Sequence, residues 1–243
     1  TNGNGLSGGE PVVIKSKDRR PVYNSLIVIL IALLLGGGCI YYIWDETTVD
    51  PIVIDGESDD WSDVPKKQLK NGDIANSNID LEAIATHTSP VFLSFFTETR
   101  EPLFQSSDGD ILRILIDSDN ITQTGYFVPG MGADFMIEIF GQRSPANDNK
   151  TIHSSNLYRF DESREQNDWN AFVFLANIEV SSNTDITECR VPLFDLGVDS
   201  TMPMKIIWQT SDASGLTDLG EVIVGLNTED LLIADVILSL QKS

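Results

Sequence analysis

The chain has 243 residues, 41% of them apolar, which is enough for a real core and leaves room for one ordinary domain with extras or for two small ones. Sixteen Lys and Arg stand against 37 Asp and Glu, a formal net charge of −21. That balance argues against a DNA or RNA partner, because a phosphate backbone demands a positive footprint; it fits a self-repelling soluble surface, a salty medium or sites for hard cations. The two cysteines, Cys39 in an apolar run and Cys189 far downstream, argue against a disulfide-stapled scaffold and offer no zinc spacing.

Residues 1–24 are rich in Gly, Asn and Ser, carry Lys15, Lys17, Arg19 and Arg20, and read as a disordered basic tail or linker. Residues 25–44, SLIVILIALLLGGGCIYYIW, hold no charge. Twenty helical residues cover roughly 30 Å, the thickness of a bilayer core. Tyr23 lies before the run and Tyr41, Tyr42 and Trp44 close it, as interfacial aromatics do. Bases flank its start, whereas Asp45, Glu46 and Asp50 follow its end. The positive-inside rule then predicts a single-pass transmembrane helix with a cytoplasmic N-terminus and residues 45–243 outside the cell. A cleaved signal peptide would have a shorter apolar core. Gly37-Gly38-Cys39 looks like the end of a lipoprotein signal, but Gly36 stands where Leu is usual and apolar residues follow, so lipidation of Cys39 stays an alternative. A pilin-like leader lacks its Gly or Ala before the cleavage point and its Glu near the helix start.

From Pro51 onward the period changes to two, in short runs broken by turn residues. Predicted strands cover 79–86, 91–97, 111–116, 135–140, 156–160, 171–175, 187–191, 204–210 and 221–224. The run 111–116 is apolar almost throughout, as in a strand covered on both faces. Turn clusters such as 107–110, 145–149 and 212–215 separate the runs. Many short strands without a long amphipathic helix predict an all-β domain, an antiparallel β-sandwich. Thr228-Glu229-Asp230 fits a helix cap, but 231–240 fits a last strand equally well.

Three phrases stand out: Ile54-Asp55-Gly56 with Asp60-Trp61; Asp117-Ser118-Asp119-Asn120 with Thr124-Gly125-Tyr126; and Gly132-Ala133-Asp134-Phe135-Met136-Ile137-Glu138. In this order and spacing, over roughly residues 51–225, they resemble the carbohydrate-binding-module family-nine-like and DOMON-like β-sandwich group. The resemblance implies a sandwich and leaves the role open, since that group includes sugar-binding modules, haem-binding modules and surface domains.

Asp117, Asp119 and Asp134 are the candidate metal ligands. Carboxylates at alternate positions on a loop leaving a strand can converge on one hard cation, with calcium as the expected cofactor. The same residues also suit turn capping. Asp55, Glu57, Asp59 and Asp60 form a second acidic group that reads as a solvated loop. Sugar modules stack rings on tryptophan. Trp61 and Trp208 read as core, which leaves Trp169, between Asp168 and Asn170, as the candidate ligand-binding platform. Haem ligation would draw on His87 or His153 with Met131, Met136, Met202 or Met204, none of which aligns to an axial position. Asn120 and Asn149 open glycosylation sequons. There is no nucleophile elbow, phosphate loop, dinucleotide fingerprint or zinc-protease motif, so the chain does not read as an enzyme. The leading expectation is a membrane-anchored surface module binding a glycan or surface polymer. The alternatives are a subunit of a surface layer, filament or membrane complex with protein partners, and a haem electron-transfer module.

Overall fold

The computed structural model describes residues 52–70, 72–144, 150–220 and 223–225, with Lys150 and 223–225 as backbone only. The predicted membrane span 25–44, Cys39, Asn149 and the helix-or-strand choice at 228–243 lie outside the described residues. Among the described residues, no helix is long and apolar enough to cross a membrane.

The domain is all-β. Its strands are β1 (Lys67–Gln68), β2 (Leu81–Thr88), β3 (Phe92–Thr99), β4 (Asp110–Asp117), β5 (Tyr126–Val128), β6 (Met131–Ala133), β7 (Phe135–Arg143), β8 (Lys150–Phe160), β9 (Phe172–Asn177), β10 (Glu179–Asn183), β11 (Ile186–Pro192), β12 (Met204–Asp212), β13 (Thr217–Leu219) and β14 (Ile223–Gly225). One helical turn, α1 (Leu193–Leu196), follows β11. A five-stranded sheet runs β1-β2-β3-β11-β10 and a second sheet runs β13-β12-β4-β7-β8-β9, with β14 also paired to β12. All these pairings are antiparallel. The nine predicted strands correspond to β2, β3, β4, β7, β8, β9, β11, β12 and β14. The short β1, β5, β6, β10 and β13 carry too few residues for a period to show.

Period two decides which side chains meet. Leu93 and Phe95 of β3, Cys189 and Val191 of β11, Leu112, Ile114 and Ile116 of β4, Ile137 and Ile139 of β7, and Ile206 and Trp208 of β12 share one core between the sheets. Trp208 is fully buried, donates its ring N–H to Thr97 Oγ1 at 3.0 Å and meets Phe95 edge-on at 5.9 Å. The buried Cys189 thiol is pushed up by desolvation.

The outer faces are covered too. Leu115, Met136 and Ile207 point away from the core and are roofed by Met131 and Ala133 of β6, which is why 111–116 reads as apolar on both faces. Across the other sheet, Ile52, Trp61 and Val64 cover Ala83, Ala85 and Phe96. The first conspicuous phrase builds this cover. The Val53 N–H donates to Asp60 Oδ2 at 2.5 Å, and Trp61 donates its ring N–H to the buried Glu188 of β11. Glu188 also accepts from the Gly56 and Asp55 amides at 2.6 and 3.2 Å. Gly56 has φ +85°, and a Cβ there would stand 2.8 Å from Asn183 N, so the turn needs glycine.

Candidate metal centre and adjoining cleft

The β4 strand ends at Asp117 and the chain turns through Ser118–Gly125 before the β5–β6 hairpin. Two features hold this loop. Asp119 Oδ1 accepts from the Ile121 amide at 2.8 Å, and the Thr124 hydroxyl lies 3.1 Å from both Asp119 oxygens. The Gln166 side chain donates to the carbonyls of Thr122, Thr124 and Gly125 at 2.9 to 3.2 Å. A Cβ on Gly132 would meet Thr124 O at 1.9 Å, so the loop lies directly on β6. The second and third conspicuous phrases are therefore two halves of one packing unit.

This unit brings the three predicted metal ligands together. Asp117, Asp119 and Asp134 each offer a carboxylate oxygen, all within 4.8 Å of one another. Two oxygens on opposite sides of a calcium ion are about 4.8 Å apart, twice the usual Ca–O distance. Asp134 sits between β6 and β7; its Oδ2 accepts from the Ser118 amide at 2.8 Å and hydroxyl at 2.7 Å. Asp117 Oδ2 accepts from the Gly132 amide at 3.3 Å and the Asn120 amide also faces this carboxyl, whereas Oδ1 is buried without a hydrogen bond of good geometry. Burial pushes the Asp117 and Asp134 carboxyls above the ordinary range, and the neighbouring carboxylates push the same way. The turn-capping reading is thus also realised, mainly by Asp119, while the buried Asp117 oxygen is left over for a cation. The three carboxylates could hold a metal ion that takes oxygen ligands, completed by carbonyls and water.

Asp119 and Asp134 line a cleft of about 380 Å³, with Arg159, Phe160, Glu162 and Phe194 among the other walls. Phe194, on α1, is 90% exposed. Glu162 is positioned by the Gly125 amide, which donates to its Oε1 at 2.9 Å.

Trp169, the predicted platform, lies in a 3₁₀ turn capped by Asp168 and is 38% exposed. Tyr126 and Phe172 meet it edge-on at 5.2 and 5.4 Å, and the Arg113 guanidinium lies 5.3 Å from its ring centre. It does not line the cleft at the triad. Trp61 and Trp208 are core, as read from the sequence. Asn120 is exposed with φ +58° on the triad loop. His87 lies on β2 and His153 on β8, in different sheets, while Met131, Met136 and Met204 are buried. Asp55, Glu57, Asp59 and Asp60 do not converge; Asp55 and Asp60 instead accept from nearby amides. Two features had no signal in the sequence. One is the buried Glu188. The other is a further convergent triad, Asp73, Asp80 and Asp218.

No protein-family model matches the chain, and neither does any curated protein. Among solved structures the chain is similar to the Iho670 flagellar-like filament, at 12% identity over 85% of this chain and 99% of that chain. The TM-score is 0.19, too low to bear on fold or role.

Proposed function

We propose that the domain is a surface-displayed binding module of the family-nine carbohydrate-binding type, held by the predicted helix 25–44, in which a calcium ion at Asp117, Asp119 and Asp134 borders the ligand cleft. The observation that carries this reading is the buried, unpartnered Oδ1 of Asp117 within a convergent triad. A carboxylate oxygen buried without a partner costs free energy that a cation removes. The ligand class is a glycan or polyhydroxylated surface polymer. Hydroxyl pairs complete the shell of a hard cation, and the cleft adds Arg159, Glu162 and an exposed aromatic ring, Phe194, against which a sugar face can pack.

The test is retention of the full chain on immobilised polysaccharides in calcium and in chelator. Calcium-dependent retention, lost in Asp119→Asn, is expected; folded protein that ignores every polymer removes the sugar reading. Protease added to intact cells tests the display itself, which requires residues beyond Trp44 to be cut from outside.

A second reading, a subunit of a surface assembly, is favoured by β9. This edge strand exposes Val173, Phe174 and Leu175 at 57, 54 and 42%. Three consecutive exposed apolar residues on a strand that ends its sheet among the described residues invite a further strand. Concentration-dependent assembly on adding calcium separates this reading from the first.

A further inference from the structure

We propose a second hard-cation site, formed by Asp73, Asp80 and Asp218, that fastens the five-stranded sheet to the edge of the seven-stranded one. It stands independently of the site at Asp117.

The three residues come from separate parts of the chain. Asp73 lies in the connection between β1 and β2, Asp80 immediately precedes β2, and Asp218 is the middle residue of β13. β2 belongs to one sheet and β13 to the other. Their carboxylate oxygens nevertheless lie within 4.8 Å of one another, the span of two oxygens across a calcium ion at about 2.4 Å from each.

An acidic cluster is common without an ion, so the decisive observation concerns Asp80. Its side chain is fully buried. Oδ2 accepts from the Gly72 amide at 2.7 Å and faces the Arg100 guanidinium at 3.7 Å. Oδ1 is buried and has no partner. Two side-chain cations stand nearby, and neither satisfies Oδ1. Arg100 is half-exposed and addresses the other oxygen, while Lys70, 3.2 Å from Asp73, is 82% exposed. The exposed Lys70–Asp73 pair contributes little. Asp218 is already anchored by the Leu81 and Leu219 amides, each at 2.8 Å, and burial together with the Asp73 and Asp80 charges raises its carboxyl above the ordinary range. Three carboxylates sharing one field, one of them with an idle buried oxygen, match a divalent oxygen-seeking ion, with backbone carbonyls and water completing the shell.

The physical consequence is mechanical. The Leu81 amide already bonds Asp218 across the sheets. A cation joining Asp80 to Asp218 clamps that contact and draws in the loop carrying Asp73.

Calorimetric titration of the full chain with calcium, in wild type, Asp73→Asn and Asp119→Asn, tests the site. Asp73 and Asp119 are both exposed and Asn keeps one acceptor oxygen, so each variant is expected to keep the fold, checked by its thermal unfolding in chelator. Expected are two binding events. Asp73→Asn should weaken one at least about tenfold through loss of a ligand charge, and Asp119→Asn should weaken the other. Hydrogen exchange at the Leu81 amide should slow on adding calcium in wild type and Asp119→Asn but not in Asp73→Asn. Calcium binding that Asp119→Asn abolishes entirely, or an Asp73→Asn titration identical to wild type, overturns the proposal and leaves the Asp117 site standing. Binding that Asp73→Asn alone abolishes sustains this site and removes the other.

Discussion

Glu188 allows the most direct quantitative test of the packing on the outer face of the five-stranded sheet. Its side chain is fully buried beneath the segment carrying Gly56 and Trp61. Desolvation raises its carboxyl from 4.5 to about 7, against the lowering effect of the Gly56 amide and the Trp61 ring N–H and with Asp60 adding repulsion. Between these values the folded chain holds a proton that the unfolded chain has released, so folding stability falls as pH rises. The contribution is intact below about pH 4.5, declines through pH 7 and is flat above. A shift from 4.5 to about 7 corresponds to about 3 kcal/mol. Screening by solvent at this thin outer layer makes that a ceiling, and about 2 kcal/mol is expected between pH 5 and pH 8. The perturbation is Glu188→Gln, which cannot titrate. It loses one acceptor for the three N–H groups and should be less stable than wild type at pH 5, with the gap narrowing at pH 8. Denaturant unfolding of both proteins at the two pH values, in chelator, gives the four free energies required. Parallel pH profiles in wild type and variant would refute the reasoning, because the titrating group would then not be Glu188.

The remaining predictions concern the metal loop and the core. Calcium at a hundredfold excess over its dissociation constant should stabilise the full chain by about 2.7 kcal/mol per site, read as a rise of roughly 5–10 °C in Tm; no shift at millimolar calcium counts against Asp117, Asp119 and Asp134 as ligands. Gly132→Ala places a Cβ 1.9 Å from Thr124 O, so backbone must move; a loss of about 3 kcal/mol together with weaker calcium binding is expected in a melt with and without calcium. Trp208→Ala empties the centre of the core and strands Thr97 Oγ1, at an expected cost of about 3–5 kcal/mol by denaturant unfolding.

Much of the domain was legible in its amino acids. Alternation over 79–86 announced a strand because side chains of a strand must face opposite sides, short apolar runs between turn residues announced those at 135–140 and 204–210, and the run at 111–116, apolar but for Arg113, announced a strand covered twice. Asp117, Asp119 and Asp134 were also legible, since the end of one strand and the start of its sheet neighbour are brought together by local pairing: Ile116 is in register with Phe135. Periodicity tells which face a residue takes but not what covers that face. Nothing along the chain therefore marked Glu188 as buried, whereas the segment carrying Gly56 and Trp61 covers it. The Asp73, Asp80 and Asp218 triad was invisible for a related reason. Its members meet only because β13 folds back on β12 and the two sheets then close over a common core. Such convergence is set by long-range packing, and no spacing along the chain encodes it.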